Sequence, residues 1–429
     1  MKILAAADLH MGRRSTGLTG DMESLATKYA WLRLVQWAID NNVDAVALAG
    51  DVVDQSNGFF ESIGPLQTGF QRLGEAGIEV FLVTGNHDHK VLPASVDTQY
   101  KHVHLLGPNG QWGVESLTRN GETVQFVGWS YPTFTSSVKV SPLPLLGTVQ
   151  LDVNFPVIGL LHADLDPVKE SNYCPVWQRD LVGVGVGTWI LGHIHKPGSW
   201  DLPGTTIHYP GSLQALSAKE SGAHGFLLLT VDAGRIKIDR IPFSTVRYGG
   251  LDIDVTGADT QEDVWRILTE AVMADARDRL YELEGVRFLS YDLMLTGAHK
   301  DEPLVVKWAV DSKRDTAIPI GKTTITIRSV DSVIRPVVGD LAELAKEPSP
   351  AGSLASVIMA IRTGGNTPLL TALEQQWEQQ QRQLQSSGVY QPLLGTTLLV
   401  DTRGSARDHL LRECNRLLNE LLSQIQKSN

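Results

Sequence analysis

The chain has 429 residues, of which 42% are hydrophobic and 20% charged, and its formal net charge is −11. This composition is that of a folded protein long enough for two or three domains, which excludes wholesale disorder. The two cysteines, Cys174 and Cys414, are too few and too far apart for a disulfide framework or a thiolate zinc cluster, a pattern typical of a reducing compartment.

Targeting and membrane signals are weak in this sequence. The first residues, MKILAAADLH, include a charged aspartate and a histidine and do not form the apolar core of a signal peptide. No stretch approaches the roughly 18 apolar residues of a membrane span. We therefore expect a cytoplasmic protein that does not contact the membrane.

From residue 1 to about 247, short apolar runs alternate with amphipathic helical stretches, which predicts a layered α/β domain. A helix is predicted over residues 22–41, and two closing strands at 226–231 and 236–241 form a hairpin. Five apolar runs are nearly continuous, as expected of strands buried on both faces; they lie at residues 3–7, 45–49, 80–83, 157–161 and 189–191.

The composition changes after residue 248 and predicts a smaller α+β domain over residues 248–345. Its strand-like segments are LDIDV, 286–295 and 323–327, and its helix begins at Thr260, with Asp263 placed for a capping box, and runs to about residue 283. KEPSPAGS at 346–353 predicts a linker. Helices from about residue 354, from Thr367-Pro368 and over about 405–426 complete a C-terminal helical partner-binding region, 346–429.

Polar motifs directly follow the five apolar runs. They are Asp-Leu-His from Asp8, Gly-Asp-Val-Val-Asp from Gly50, Gly-Asn-His-Asp from Gly85, the single His162, and Gly-His-Ile-His from Gly192. In open α/β sheets, sites form beyond the carboxyl ends of the strands, so these motifs are expected to converge. Each motif alone is weak, and a single histidine is more often structural. Their joint placement predicts one site.

Carboxylate and imidazole groups without thiolates suit manganese, iron or zinc and disfavour a structural zinc site. Two divalent cations about 3.5–4 Å apart need a bridging carboxylate that offsets their repulsion. Such a pair polarises a phosphate oxygen and lowers the pKa of a coordinated water. The sequence therefore predicts a dinuclear cation centre that acts on a phosphate ester.

These motifs resemble those of the calcineurin-like metallophosphoesterases, and within them the DNA-repair nucleases SbcD and Mre-eleven and their YhaO-like relatives. The resemblance also includes ADLHMGR at 7–13, VTGNHD, GHIHKP, YPGSLQ at 209–214 and ESGAHGF at 220–226. It covers roughly residues 1–241; beyond that, only the order of domains is similar. It implies an α/β fold of the four-layer metallophosphoesterase type, with two central mixed sheets flanked by helices, for a domain over residues 1–247.

The resemblance also implies roles for individual residues. It places Asp8, His10 and His195 on one metal and Asn86, His162 and His193 on the other, with Asp51 as the bridge. Mn²⁺ is the expected cation, and Fe²⁺, Zn²⁺ and Mg²⁺ are alternatives. His87 would protonate the leaving oxygen or stabilise the pentacovalent state, and Asp88 would orient His87. Alternatives are a loop cap for Asp88, a turn or cap for Asp54 and a solvated ring for His89.

Three positively charged residues near these motifs are candidate DNA contacts: Arg13, Arg14 and Lys196. The alternative is that they serve only surface solubility. The order of a phosphoesterase and a smaller α+β domain resembles a nuclease with its capping domain. The predicted function is a metal-dependent DNA nuclease, a 3′–5′ exonuclease and structure-specific endonuclease, acting as a homodimer.

The C-terminal helix is strongly amphipathic, and it either packs on its own domain or docks on a partner. The resemblance implies an SMC-like coiled-coil ATPase as that partner; a ring-shaped DNA translocase is the alternative. The chain has no G-x-x-x-x-G-K-[ST] loop, so ATP hydrolysis would come from another chain. Two other functions stay open: a phosphomonoesterase or cyclic-nucleotide phosphodiesterase without a nucleic-acid role, and a non-catalytic scaffold subunit of an ATPase complex.

Overall fold

A computed structural model describes residues 1–18, 23–54, 59–96, 100–313, 317–335, 341–386 and 406–428. The strands are β1 Lys2–Ala6, β2 Ala45–Ala49, β3 Glu79–Val83, β4 Val103–Leu105, β5 Trp112–Arg119, β6 Glu122–Trp129, β7 Val157–His162, β8 Asp164–Leu165, β9 Pro175–Val176, β10 Thr188–Gly192, β11 Gly198–Leu202, β12 Thr205–Tyr209, β13 Gly225–Asp232, β14 Arg235–Pro242, β15 Val246–Asp254, β16 Phe288–Thr296, β17 Ile318–Ile320 and β18 Thr323–Ser332. The helices are α1 Thr27–Asp40, α2 Phe59–Glu75, α3 Val91–Val96, α4 Gln178–Leu181, α5 Gln261–Asp278, α6 Glu302–Lys313, α7 Leu341–Leu344, α8 Pro350–Arg362, α9 Pro368–Ser386 and α10 Ala406–Ser428.

These elements belong to two compact units. Unit 1 comprises Met1–Gly249, Leu280–Ser290 and Gly321–Thr324, and unit 2 comprises Gly250–Arg279, Tyr291–Ile320 and Ile325–Asn429. The three-domain division at residues 247 and 345 stays a prediction. Among the described helices, none is both long enough and apolar enough to cross a membrane.

Unit 1 contains two mixed six-stranded sheets. The first has the order β14-β13-β1-β2-β3-β4, in which β1 to β4 are parallel and β13 and β14 are antiparallel. The second has the order β11-β12-β10-β7-β6-β5, with the antiparallel strands β11 and β5 at its edges. Because Leu4 pairs with Val46 and Val46 with Val80, the carboxyl ends of β1, β2 and β3 lie at one edge of the first sheet.

The strand periodicity explains the layers of unit 1. Alternate side chains of β1, such as Ile3 and Ala5, are buried in one core with Ile158 and Ile190 of the second sheet. Their neighbours, such as Leu4, are buried in another core with α1 and α2. A third core covers the other face of the second sheet. The predicted sandwich of mixed sheets flanked by helices is confirmed.

Some predicted boundaries differ from the structure. The helix predicted over residues 22–41 is a 3₁₀ turn at Glu23–Leu25 followed by α1, and Met22 lies outside the described residues. The edge strands β5 and β11 were missed because neither has a continuous apolar run. The two buried side chains of β5, Trp112 and Leu117, are separated by partly buried and exposed positions, and β11 has no buried position. The predicted closing hairpin is confirmed as β13 and β14.

Unit 2 includes β17 and most of β15, β16 and β18, which belong to a four-stranded sheet of order β15-β16-β18-β17. It also includes the helices α5 and α6, which pack on each other. The predicted capping box is confirmed: Thr260 Oγ1 accepts a hydrogen bond from Asp263 N at 3.1 Å, and Asp263 Oδ2 accepts one from Thr260 N at 3.2 Å. The helix ends at Asp278 rather than near residue 283, and a separate 3₁₀ turn follows it.

The remainder of unit 2 is the helical cluster α8, α9 and α10. Residues 350–353, predicted as part of a linker, form the first turn of α8 because Ser349 Oγ caps Gly352 N at 3.0 Å and Pro350 fits the first helical position. The apolar face of α10 is buried against Ile358 of α8 and Leu370 of α9 through Leu410 and Leu418. This face packs on its own unit, as one of the two predicted alternatives expects.

Candidate metal centre

The strand ends of both sheets meet at one place in unit 1. Asp8 and Asp51 each lie two residues beyond a strand of the first sheet, whereas His162 ends β7 and pairs with Gly192, the last residue of β10. The two sheets are joined there because His193 N donates to Asp8 Oδ1 at 3.0 Å. The predicted convergence of the motifs is therefore present in the fold.

The first group of candidate ligands is Asp8, His10 and His195, whose ligand atoms all lie within 4.8 Å of one another. The Nε2 atoms of His10 and His195 are 3.0 Å apart. His195 Nδ1 lies 2.9 Å from Glu220 Oε1, and because an ionised carboxylate can only accept, Nδ1 carries the proton. The lone pair of the neutral His195 ring is then on Nε2, which faces His10.

The second group lies around His162. Its Nε2 is 3.1 Å from Asn86 Oδ1 and 3.3 Å from Asp51 Oδ2, and its ring centroid is 5.4 Å from that of His193. His162 Nδ1 donates to Ala49 O at 3.0 Å, which directs Nε2 towards these residues. Asp51 also lies within 4.8 Å of ligand atoms of Asp8 and, in another group, of His10. The structure thus brings all seven predicted metal ligands together, with Asp51 between the two groups.

This donor set fits divalent cations. Asp8 and Asp51 are two carboxylates with almost no exposure, and burying such charges without a counter-charge is unfavourable. Two imidazole nitrogens 3.0 Å apart cannot both present lone pairs unless a proton or a cation lies between them. Oxygen and imidazole ligands without a thiolate suit manganese, iron or zinc.

Burial and neighbouring charges act in opposite directions on the pKa values of these groups. Burial raises the pKa of Asp8, and the Asp51 carboxylate adds to this rise. Burial also favours neutral Asp51, but the charge and hydrogen bond of His162 outweigh it and lower the pKa of Asp51 well below its usual value. For His193, burial lowers the pKa to about 3, so its ring is neutral and able to bind a cation near neutral pH.

The loops of the site hold unusual backbone conformations. Asp8, His10 and Asp51 have φ of 51°, 44° and 50°, and φ is 96° at His193. Such conformations cost on the order of 1–3 kcal/mol each and persist where the surroundings hold them. Gly50, with φ of 86°, is also required for space, since a Cβ there would lie 2.6 Å from His162 Nδ1.

His87 lies at the site and is accessible. Its backbone N–H donates to Asp51 Oδ1 at 2.9 Å, and its ring lies edge-on to that of His10, with centroids 4.9 Å apart. The side chain is 37% exposed, whereas His10 and His162 are buried. Burial lowers the pKa of His87, so the ring is predominantly neutral near pH 7. It is placed to meet a substrate that reaches the cations.

The expected orientation of His87 by Asp88 is not what the structure shows. The Asp88 carboxylate is fully buried and accepts from Gly85 N at 2.7 Å and from Val52 N at 2.6 Å, so it joins two loops of the site. This is the loop-cap alternative. Two other carboxylates lie near the His87 ring: Asp51, which has an oxygen within 4.8 Å of a ring nitrogen of His87, and Asp54, whose Oδ1 is 3.9 Å from His87 Nδ1.

Sequence reasoning missed the roles of Asp54 and Glu220. Asp54 Oδ2 also lies 3.6 Å from His10 Nδ1, and Glu220 accepts from the Ser212 hydroxyl at 2.6 Å and from Leu216 N at 2.9 Å, besides its contact with His195. The signals were present, because Asp54 ends the Gly-Asp-Val-Val-Asp motif and Glu220 begins ESGAHGF. Their partners depend on loop geometry, which spacing does not reveal.

The three predicted DNA contacts differ in position. Arg13 Nε lies 3.2 Å from Asp54 Oδ2 and is thus beside the site. Arg14 forms an exposed ion pair with Glu23 at 3.2 Å, and Lys196 is exposed next to His195. The structure brings Arg13 to the candidate ligands but directs Arg14 towards Glu23.

Residues 1–197, which include all seven candidate ligands, match the sequence model of the calcineurin-like phosphoesterases. Over these residues the chain is similar to the calcineurin-like phosphoesterases. The resemblance predicted from the motifs is confirmed over these residues, which contain every strand end that forms the site.

Three proteins illustrate what this chain is similar to. The uncharacterized metallophosphoesterase YhaO of Bacillus subtilis is 28% identical over 278 residues, 63% of this chain and 67% of YhaO. The DNA double-strand break repair protein Mre11 of Methanopyrus kandleri is 25% identical over 337 residues, 74% of this chain and 70% of that protein. A solved dimetal phosphatase from Danio rerio covers 57% of this chain and 99% of its own, at 14% identity and a TM-score of 0.37.

Proposed function

We propose that this metallophosphoesterase is a manganese-dependent nuclease that hydrolyses DNA phosphodiesters, as a 3′–5′ exonuclease and structure-specific endonuclease. The observation that carries the proposal is the convergence of seven oxygen and nitrogen ligands beside the accessible ring of His87. Similarity to a protein named for DNA double-strand break repair favours DNA over a small phosphate ester.

Asp8, His10 and His195 would hold one cation, Asn86, His162 and His193 the other, and Asp51 both. When bound, two such cations polarise the phosphate and lower the pKa of a coordinated water. The chain keeps its ligands in place through second contacts: Glu220 orients His195, and the Ala49 carbonyl orients His162.

His87 acts on the substrate directly in this proposal. Its backbone is fixed by Asp51, so the ring position is coupled to the ligand that both cations share. The neutral ring donates an N–H hydrogen bond to the phosphate, and the protonated ring, a minor form near pH 7, donates a proton to the leaving oxygen. Proton transfer of this kind is typically worth about 10²–10⁴-fold in rate. Burial lowers the pKa of the ring, and the carboxylates that oppose this effect are Asp51 and Asp54 rather than Asp88.

DNA contact beside the metals is assigned to Arg13 and, less directly, to Arg14 and Lys196.

The proposal also includes a homodimer and a partner ATPase, an SMC-like coiled-coil protein or a ring-shaped translocase, docked through unit 2. The ATPase partner is supported by the order of the segments. This sequence has no phosphate-binding loop of the ATPase type, so ATP hydrolysis would come from another chain. Because α10 buries its main apolar face, docking would use other surfaces of the helical cluster.

A substrate comparison tests the proposal. The full chain would be incubated with Mn²⁺ and, separately, with 3′-labelled and 5′-labelled single-stranded and nicked duplex DNA, p-nitrophenyl phosphate and a cyclic nucleotide. We expect Mn²⁺-dependent DNA cleavage that EDTA stops. Asp51→Asn, purified in parallel, should be inactive and thereby excludes a contaminating nuclease.

Ready hydrolysis of p-nitrophenyl phosphate or the cyclic nucleotide with DNA left intact, in the presence of the ATPase, would contradict the nuclease proposal in favour of a small-molecule phosphoesterase. Inactivity towards every substrate, with metals bound, would favour the scaffold function.

A further inference from the structure

A second cluster of charged side chains lies in unit 2, away from the candidate ligands in sequence. It surrounds an open cavity of about 530 Å³ formed by the ends of β15, β16 and β18 together with α8 and α10. The cavity is lined by Asp254, Thr296, Gly297, Val333, Arg335, Arg362, Asp408, Leu411, Arg412 and Asn415. Arginine is the commonest charged residue of this lining, although the whole chain has a net charge of −11.

Two of the arginines have few hydrogen-bond partners among the described residues. In the part of the chain that the structure describes, neither Arg335 nor Arg362 forms an ion pair. Each makes one long side-chain hydrogen bond, from Arg335 Nε to Gly297 O at 3.4 Å and from Arg362 Nη2 to Asn415 Oδ1 at 3.5 Å. A guanidinium has five N–H donors, so both retain donors for a ligand.

Arg335 and Arg362 line the same cavity, and burial and, to a lesser extent, the charge of Arg335 lower the pKa of Arg362. Like charges brought together without a counter-charge are unfavourable, and an anion between them would remove the repulsion. The acidic groups of the cavity are Asp254, which accepts from Thr256 N at 2.8 Å, and Asp408. Hydrogen bonds from Thr256 and, to a lesser extent, the charge of Arg335 lower the pKa of Asp254, so this carboxylate offsets part of the charge of Arg335. The two carboxylates of the lining do not balance its three arginines.

One of the arginines is positioned by a buried side chain. Asn415, 2% exposed, donates to Leu411 O at 2.7 Å and thereby fixes the Oδ1 atom that accepts from Arg362. The buried amide thereby fixes the position of the Arg362 guanidinium at the edge of the cavity. An arginine that serves only solubility needs no such fixed position. Forked guanidinium donors match the oxygens of a phosphate better than a single ammonium would.

We propose that Arg335 and Arg362 form a phosphate-binding site in the cavity of unit 2, independent of the metal centre. The phosphate group belongs either to a DNA backbone or to a free phosphate compound such as a nucleotide. The DNA source rests on the proposed nuclease function; the site itself does not.

The test uses the full chain in EDTA, so that phosphate does not bind through metals. The variants are Arg335→Gln/Arg362→Gln and, as a control, Arg416→Gln, an exposed arginine of α10 that pairs with Glu413 and Glu420. The probes are inorganic phosphate and ATP, followed by calorimetry, and a fluorescein-labelled duplex, followed by anisotropy over a series of salt concentrations.

If the site holds DNA, the double variant binds the duplex more weakly, and the slope of log K against log salt falls by about two, about one for each arginine. If it holds a free phosphate compound, phosphate or ATP binds the wild type and the Arg416 variant but not the double variant, and the duplex is bound equally by all three. Equal binding of every probe by the double variant and the wild type overturns the proposal.

A charge-conserving variant guards against a folding effect. Arg335→Lys/Arg362→Lys retains both charges but lacks the forked donors. We expect it to keep the salt slope of the wild type while binding phosphate more weakly than the wild type. Loss of binding in both double variants with an unfolded circular dichroism spectrum would also contradict the proposal, because two exposed arginines that only bind a ligand should not be needed for folding.

Discussion

The loops of the candidate metal centre and the helical cluster α8 to α10 bury different kinds of side chain. The loops bury carboxylates and imidazoles and hold non-glycine residues at positive φ, as at Asp8 and Asp51. The helical cluster buries aliphatic side chains such as Leu418 and begins α8 with an ordinary serine cap. Buried charged groups and strained backbone conformations are unfavourable for folding and are typical of functional sites. The contrast therefore distinguishes the candidate site from the region that only supports the fold.

The largest expected effect is at the metal centre. His87→Gln should lower DNA hydrolysis by roughly 10²–10⁴-fold, because glutamine retains a polar group but cannot serve as a proton donor. Mn²⁺ affinity, measured by calorimetry, should be unchanged, since His87 is not one of the proposed ligands. His104→Gln, on β4 and paired with Glu79, is the control and should retain full activity. Unchanged turnover in His87→Gln would remove this residue from the mechanism.

The next effect belongs to the helical cluster. Leu418→Ala should lower the free energy of unfolding by about 2–5 kcal/mol, because it leaves a cavity among α8, α9 and α10. Leu417→Ala, at a neighbouring position that is 40% exposed, should change it by less than about 0.5 kcal/mol. Urea unfolding of both variants measures the difference. A loss of Mn²⁺ affinity in Leu418→Ala would contradict the separation of the two regions.

A smaller effect is expected at Glu220. Glu220→Gln should weaken Mn²⁺ binding about 10–100-fold, because the amide no longer holds His195 through a charged acceptor. Glu115→Gln, an exposed position on β5, provides the matched control. The account of Glu220 fails if both variants bind Mn²⁺ as the wild type does.

The smallest effect concerns the cap of α8. Ser349→Ala should destabilise the helical cluster by about 1 kcal/mol, because Gly352 N loses its acceptor. Ser353→Ala, exposed within the same helix, should be neutral or slightly stabilising because alanine has the higher helix propensity. Thermal unfolding of the two variants compares them directly. Equal stabilities would show that the cap is dispensable.

Much of the first unit was predictable because buried strands leave a continuous apolar signal and their carboxyl ends share an edge. The sequence pattern alone therefore predicts that one site brings together Asp8, Asp51, Asn86, His162 and His193. The partners of Asp88 and Glu220 were not predictable, since they depend on how two loops approach each other. The start of α8 was misplaced because proline and glycine, common in linkers, also occur in the first turn of a helix.

Anomalous scattering from a crystal soaked in Mn²⁺ tests the central claim most directly. The account predicts two peaks about 3.5–4 Å apart, one touching Asp8, His10 and His195 and the other Asn86, His162 and His193, with Asp51 in contact with both. No peak among these residues, or Mn²⁺ bound only elsewhere, would contradict it.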